Sequence, residues 1–576
     1  MYTLGINAAY HDTAACLVRD GYVVAAAEEE RFTRIKHGKR PIPFSTYELP
    51  FHAIDYCLRE AGIDLINIDH VAYSFDPGLL LGTRKGNESI SLPLEPSKNP
   101  ASGDWESVWD PLFLASIVNA PRHLAAGVPH HLERRFRGYA LDGIADWHFV
   151  EHHLAHAASA FLASPMDEAA VLTLDGRGER ATTTYSIGHG SSIERIGQVN
   201  YPDSLGILYE RVTTHLGFLH SSDEYKVMAL ASYGKPTFLN CFRSIIDVRP
   251  DGCYRVDSEA VNEVLGPARK RGEPLEQAHF DIAHSLQVAL EETVLELADW
   301  LHRASGMSDL CMAGGVALNC VMNARLRDEG PFDRVWIQPA AGDAGTALGA
   351  ALWVDARERN TLSRDWRMEH AYLGPGFDDA AIESFLQWSK VPYRRANDVL
   401  SEAAAMLAAD KVIGWFQGRM EFGPRALGSR SILASPINPS MQERLNDIKD
   451  REDFRPVAPV VLEDRAAEWF EGAERSPYML FLYNVRPEQA DRIPAVRHVD
   501  GTARIQTINR QQHPIYYDLL LAFEKQTGVP VLVNTSFNTR SEPIVCSPRD
   551  AVECFWTSPL DALVIGPFVL EKCQRA

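Results

Sequence analysis

This chain predicts an α/β fold in more than one domain, on three observations. Short apolar runs of strand length, such as residues 169–174, 310–313 and 412–416, alternate with longer helix-period stretches, of which 282–301 is the clearest. A strand, a polar turn and two hairpin strands occur twice. The 576 residues also exceed what one core supports, and at about 150 residues per domain they suggest three or four folding units.

The first copy opens with a strand over residues 2–8, then His11-Asp12, a second strand over 13–18 and a third over 22–27. Asp20-Gly21 between the last two is a hairpin signal. A helix over 46–61 and a buried strand over 71–74 come after it. The second copy starts with the buried strand 169–174, ends it in Asp175-Gly176, and continues with polar strands over 182–187 and 193–199. A duplicated βββαβα unit is the plan of the actin-like ATPase fold, in which phosphates lie between two hairpin turns.

Helices over 204–216 and 282–301 come next, the latter with Ile282, Leu286, Leu290, Val294, Leu297 and Leu301 on one face. The strand 310–313 runs into Gly314-Gly315-Val316-Ala317-Leu318-Asn319. Two glycines at such a junction let backbone approach a nucleotide, and the same pair serves equally as a tight turn. Residues 75–137 break the pattern with Pro, Gly, Ser and charge, and carry Trp105 and Trp109; they read as an insertion, about 76–137, partly covering a cleft.

Periodicity lapses over 358–367, and the turn residues Gly374-Pro375-Gly376 stand shortly beyond the lapse, so a second domain begins near 366. It offers a helix over 399–409, a buried strand over 412–416 and a loop over 417–430 that contains Arg419, Arg425 and Arg430. With Lys449, Arg451, Arg455 and Arg504 these concentrate cations in an acidic chain. Converging arginine forks would make a polyanion pocket. Scattered surface ion pairs are the alternative, against which three of the arginines lie between glycines and apolar residues after a buried strand. The strand 529–533 ends in Asn534-Thr535-Ser536-Phe537-Asn538, a polar turn suited to adenine, ribose or phosphate.

The net charge of -20 argues against nonspecific binding to nucleic acid or an anionic membrane surface. Nine cysteines without a C-x-x-C pair indicate neither a disulfide framework nor a zinc ribbon, and point to reduced thiols in a cytoplasm. No leader pattern and no apolar run of membrane-spanning length is visible, so the expectation is a cytoplasmic protein acting on small molecules.

In Glu151-His152-His153-Leu154-Ala155-His156, His152 and His156 sit one helical turn apart and can aim two imidazoles at one point. Residues 147–150 enter this stretch like a buried strand, which places the pair on the first turn of a helix. Carboxylates must complete a coordination sphere, and Asp175 and Asp343 are the best candidates, a mixed set that suits iron, zinc or manganese. On spacing alone, ordinary helix-surface or core histidines fit as well. His130-His131 is a control, since the position four on from His130 is Arg134.

The motifs Gly5-Ile6-Asn7 with His11-Asp12, Glu28-Glu29-Glu30-Arg31-Phe32-Thr33, His152 to His156, Asp175-Gly176, Glu224-Tyr225-Lys226-Val227-Met228, Gly314-Gly315, Gly423-Pro424-Arg425-Ala426-Leu427-Gly428, Arg455-Pro456 and Asn534 to Asn538 together carry a resemblance that runs nearly end to end. The chain resembles the NodU/CmcH-type O-carbamoyltransferases, which place carbamoyl groups on hydroxyls of Nod factors and antibiotics. The resemblance implies a duplicated actin-like (ASKHA, threonylcarbamoyl-transferase-like) domain over 1–365 and an α+β YrdC-like domain over 366–576.

It implies that carbamoyl phosphate and ATP, with Mg(II), give carbamoyl adenylate in the C-terminal domain, where Arg419, Arg425, Lys449, Arg455, Arg504, Asn534 and Ser536 match anion-holding positions. It implies a metal, Fe(II), on His152, His156, Asp175 and Asp343, a nucleotide beside Asp175, Gly176, Gly314, Gly315, Asn319 and Asp343, and His11 as the general base. The implied partner is a small-molecule hydroxyl acceptor such as a macrolide, ansamycin or aminoglycoside; no nucleic acid or membrane partner is implied, and a homodimer stays open. Two positions depart from the family pattern: Ala229 and Ser541 stand where glycine is usual.

The competing readings are a tRNA threonylcarbamoyladenosine-type enzyme, which would need a basic surface, an actin-like sugar kinase, which would leave the arginines unused, and an ATP-gated binding module.

Overall fold

The computed structural model describes residues 1–38, 49–81, 110–126, 145–539 and 541–572. Trp105, Trp109, His130, His131 and Arg134 lie outside the described residues. The chain forms two compact units, each discontinuous in sequence: Met1–Tyr201 with Cys311–Gly315 and Ala341–Arg367, and Pro202–Leu310 with Val316–Ala340 and Met368–Ala576. Both mix helices with sheet.

In the first unit the strand Tyr2–Asn7 pairs antiparallel with Ala14–Arg19 and parallel with His70–Tyr73. Tyr22–Glu28 closes one edge and Asp146–Phe149 the other. Asp20 and Gly21 have φ of 49° and 87°, the two positive values that a tight hairpin turn with the strands' twist demands. A second sheet sets Ser192–Asn200, Ala181–His189, Glu168–Leu174 and residues 311–313 in order. Each sheet thus runs third strand, second, first, then the next strand, so the repeat read from sequence is present in the topology. Within the region read as an insertion, the helices Asp110–Val118 and Ala120–Ala126 are described, and Leu114, Ile117 and Leu124 join the apolar core of this unit.

Two helices position the site. His152–Phe161 leaves the strand Asp146–Phe149, and Ala344–Glu358 is made largely of Ala, Gly and Leu. A Cβ at Gly349 would lie 1.9 Å from the Ala155 carbonyl oxygen, and one at Gly5 1.9 Å from that of Ala347. Glycine at both positions lets the Ala344–Glu358 backbone press against the other helix and against the first strand.

The second unit holds an eight-stranded mixed sheet in the order Arg394–Arg395, Phe568–Glu571, Ala562–Ile565, Ile413–Phe416, Arg430–Ala434, Val531–Ser536, Ala458–Leu462 and Gln506–Ile508. The interior strands Ile413–Phe416, Ala458–Leu462 and Ala562–Ile565 are buried from end to end, which is why they read as unbroken apolar runs. The same unit contains the long helix Gln277–Ser305, whose predicted stripe from Ile282 to Leu301 is buried throughout. Ser541 has φ 63°, the left-handed backbone that makes glycine usual there, whereas Ala229 lies within the helix Glu224–Ala231 and is compatible with it. The first predicted helix is described as Phe51–Ala61; residues 46–48 lie outside the described residues.

Candidate metal centre and arginine cradle

His152 and His156 occupy the first turns of their helix, fully buried. The Glu179 carboxylate accepts the His152 backbone N–H at 3.0 Å, and Arg195 pairs with Glu151 at 2.6 Å, so the helix start is fixed from two sides. The two Nε2 atoms stand 3.2 Å apart. Asp175 ends the strand Glu168–Leu174 and presents Oδ2 at 3.4 Å from His152 Nε2 and 3.8 Å from His156 Nε2. Asp343, just before the helix Ala344–Glu358, puts Oδ1 3.6 Å from each. The helical spacing brings the two imidazoles together, and the fold brings both predicted carboxylates to them.

One ligand atom from each of the four residues lies within 4.8 Å of every other. Ligands held at roughly 2.1 Å around a tetrahedral ion sit about 3.4 Å apart, so the observed separations fit one cation. Both Asp343 oxygens are buried without a hydrogen-bond donor among the described residues, a costly arrangement for a carboxylate unless a cation answers it. Burial opposes the charge on Asp343, yet His11 and His152 hold its carboxyl well below the usual range. Burial likewise opposes the charge on His152, but Asp343 and Asp175 draw its pKa well above the ordinary imidazole value. The pocket thus concentrates negative charge where a divalent cation would bind.

The surrounding residues orient the ligands. Gly315 donates its N–H to Asp175 Oδ1 at 2.8 Å, which turns the other oxygen toward the imidazoles. A Cβ at Gly314 would sit 2.1 Å from the Leu174 carbonyl oxygen and its φ is 97°, so close packing on the neighbouring strand explains this glycine without a nucleotide. Beyond the Cα of Gly176 the space is open. Asn319 belongs to the second unit, where it caps the helix Cys320–Glu329 and exchanges amide hydrogen bonds with Gln287.

His11 is half-buried, its Nε2 3.8 Å from Asp343 Oδ2 and its Nδ1 3.0 Å from Asp12 Oδ2. Asp12 Oδ1 is 2.9 Å from His37 Nδ1, so one carboxylate spans two imidazoles. Asp12 and His37 have φ of 51° and 60°, strained backbone at the two residues that orient His11. Burial favours neutral Asp12, but His37 and His11 hold its carboxyl far below the usual range. His37 carries no signal in the sequence, because only the fold brings it to Asp12.

The predicted cations of the second unit fall into three groups. Arg419 donates to the carbonyls of Leu373 and Gly374, and the buried Arg430 to those of Gln417 and Pro375, with its guanidinium 3.6 Å from the Phe416 ring centre. Both brace the loop, as does Glu421 Oε1, which accepts from the N–H groups of Leu427 and Ser429 at 2.7 Å. Lys449 donates to Ser536 Oγ at 3.2 Å and Asn538 Oδ1 at 2.7 Å, and thereby joins the predicted polar turn. Asn534 donates to Gln506 at 2.7 Å, and its own Oδ1 is buried without a donor.

Arg425, Arg451, Arg455 and Arg504 form the third group. Burial, then Arg504 and Arg455, push Arg425 down to about 9; burial, then Arg455 and Arg504, do the same to Arg451. Arg425 Nε, Arg451 Nη2 and Arg504 Nε are buried without an acceptor among the described residues. Arg425 reaches the Leu318 carbonyl at 3.3 Å, Arg451 reaches Asn446 at 2.6 Å, and Arg455 has Glu452 at 3.8 Å. Four like-charged guanidinium groups, three of them with an N–H that meets no acceptor among the described residues, form a cluster that can hold a polyanion. Sequence reasoning counts Arg451 among the cations but leaves it out of the pocket, since no motif residue marks it.

The chain thus joins a duplicated α/β scaffold that carries a His/Asp group able to hold a cation with a cluster of four arginines further along the sequence. Two carbamoyltransferase families match the chain: the N-terminus family over residues 2–83 and 140–352, and the C-terminus family over 404–572. An uncharacterized protein of Synechocystis sp. is 41% identical over 100% of this chain and 97% of its own. Nodulation protein NolNO of Sinorhizobium fredii is 39% identical over 98% of this chain and 80% of its own, and nodulation protein NolO of Bradyrhizobium diazoefficiens 42% over 73% and 79%. The chain belongs to the carbamoyltransferase family and is a transferase. Among the described residues no helix is long and apolar enough to cross a membrane.

Proposed function

We propose that the protein is an ATP-dependent O-carbamoyltransferase of small-molecule hydroxyls that works in two steps divided between residues 366–576 and 1–365. In the first, water hydrolyses carbamoyl phosphate to carbamate and phosphate, and an oxygen of the carbamate attacks the α-phosphorus of ATP, expelling pyrophosphate and leaving carbamoyl adenylate. Arg425, Arg451, Arg455 and Arg504 bind and orient the phosphates, Mg(II) accompanies ATP, and the turn of Lys449, Ser536 and Asn534 holds the carbamoyl or adenosine end. In the second step the acceptor hydroxyl attacks the carbamoyl carbon, its proton passes to His11 Nε2, and AMP leaves.

His152, His156, Asp175 and Asp343 would hold a divalent cation, here assigned as Fe(II), which would supply Lewis acidity at this site. Asp12 accepts the Nδ1 proton of His11 and so keeps Nε2 available as the base, a role worth typically ~10²–10⁴-fold. The acceptor class is a natural product of secondary metabolism.

One observation carries the reading: a cluster of four like-charged guanidinium groups, three of them with a buried N–H that meets no acceptor among the described residues, in a chain of the carbamoyltransferase family. A tRNA-modifying role has no support from a chain of charge -20. The test is carbamoyl-phosphate-dependent exchange of labelled pyrophosphate into ATP. Arg455→Ala should abolish exchange, whereas His11→Ala should keep exchange and stop transfer to a hydroxyl acceptor. Equal loss of both steps in both variants would refute the division of labour.

A further inference from the structure

The motif Glu224 to Met228 has no part in either step as assigned, yet its side chains reach the cradle within the second unit. The helix Glu224–Ala231 lies outside the C-terminus family match at 404–572. From it Lys226 Nζ pairs with Glu452 Oε1 at 2.8 Å and with Asp223 Oδ1 at 3.1 Å. The Tyr225 ring lies under the Arg455 guanidinium, 4.6 Å from its carbon. Just past this helix, the Tyr233 hydroxyl reaches the Phe454 carbonyl at 3.4 Å. Three contacts therefore converge on the four residues 452–455.

Arg455 needs such support. Like charges on Arg425 and Arg451 face it, and a long arginine stem left alone extends toward water. The groups that hold it inward are the Glu452 carboxylate at 3.8 Å and the Tyr225 ring face, and Lys226 fixes the carboxylate in turn. A planar guanidinium stacked on a ring keeps its N–H edge free for a phosphate, which a direct bidentate carboxylate partner would occupy.

We infer that Tyr225 and Lys226 are positioning residues of the anion cradle: the ring and the ion pair to Glu452 hold the Arg455 guanidinium where it meets the phosphate of carbamoyl phosphate or ATP. The inference rests on the assignment of the arginine cluster to these substrates. Residues outside the C-terminal family match thus complete its pocket.

The test uses the full chain and the pyrophosphate exchange assay, titrating carbamoyl phosphate and ATP separately. Tyr225→Leu and Lys226→Met should each raise KM for one or both substrates by about three- to tenfold, with kcat of exchange within about twofold of wild type. Tyr225→Phe keeps the ring and Lys226→Arg keeps the charge, and both should return to within about twofold of the wild-type KM. Unchanged KM in the two disruptive variants would overturn the inference, as would a fall in kcat alone, or equal damage from Tyr225→Phe and Tyr225→Leu. Arg455→Ala is the control: persistence of exchange in that variant would refute the substrate assignment itself, while its loss beside unaffected Tyr225→Leu and Lys226→Met would refute only the positioning role.

Discussion

A buried guanidinium with an unmet N–H is unfavourable until an anion arrives, and Arg451 is such a group. Its Nη2 has no acceptor among the described residues, and burial with two neighbouring cations pushes its pKa down to about 9. Removing an uncompensated buried charge stabilises a fold, while removing an anion contact weakens binding, so one substitution should move two measurements in opposite directions. Arg451→Met should raise the melting temperature of the ligand-free protein by about 2 °C, for roughly 1 kcal/mol gained. The same variant should raise KM in pyrophosphate exchange by about tenfold or more and lose most of the thermal shift that pyrophosphate gives wild type. A lower melting temperature without ligand would mean that Arg451 is an ordinary structural cation. Local sequence alone does not tell Arg451 from Arg419, which the family resemblance counts among the anion-holding positions, or from Arg430. All three are arginines near glycines or polar turns, and which ones face carbonyls is decided by backbone tens of residues away.

The elements themselves were legible wherever one face or both are buried. The strands at 169–174 and 412–416 and the stripe of Gln277–Ser305 appear within a residue or a few of where periodicity puts them. What periodicity could not reveal is how closely elements approach, and that distance builds the metal centre. Asp343 reaches His152 and His156 because two helix backbones meet at Gly349, where a Cβ would be 1.9 Å from the Ala155 carbonyl oxygen. Gly349→Ala should therefore push the helices apart, costing about 1–3 kcal/mol as overpacking does. It should also lower the divalent metal retained after dialysis, measured by elemental analysis, although Gly349 touches no ligand. Full metal content together with a lowered melting temperature would separate helix packing from ligand geometry and refute the link. Spacing singles out the histidine pair, and Asp175 and Asp343 enter as the best carboxylate candidates to complete a coordination sphere, a set that the family resemblance also implies.

At the scale of the molecule, the chain passes repeatedly between its two units, with residues 202–310 and 316–340 packed alongside 368–576. Composition and linker signals register where periodicity lapses, not which segments later share a core, so this partition was not legible. A core with titratable groups also sets how the whole responds to acid. His513 caps the helix Pro514–Thr527, its Nε2 lies 3.2 Å from Ser429 Oγ, and its ring packs edge-on against Tyr372. Burial, with smaller contributions from Arg430 and His370, pushes it down to about 4. Unfolding restores an imidazole of pKa ≈ 6.5, so between these values the unfolded chain binds the extra proton. Stability from this group is complete above pH ~6.5 and is lost as pH falls toward 4, with a ceiling of about 3 kcal/mol. Urea midpoints measured from pH 7 to 5 should fall for wild type. His513→Gln, which can keep a hydrogen bond but cannot titrate, should show a distinctly flatter profile over that interval. Parallel profiles for the two proteins would place the acid sensitivity elsewhere and show that His513 is protonated as readily in the folded unit as in the unfolded chain.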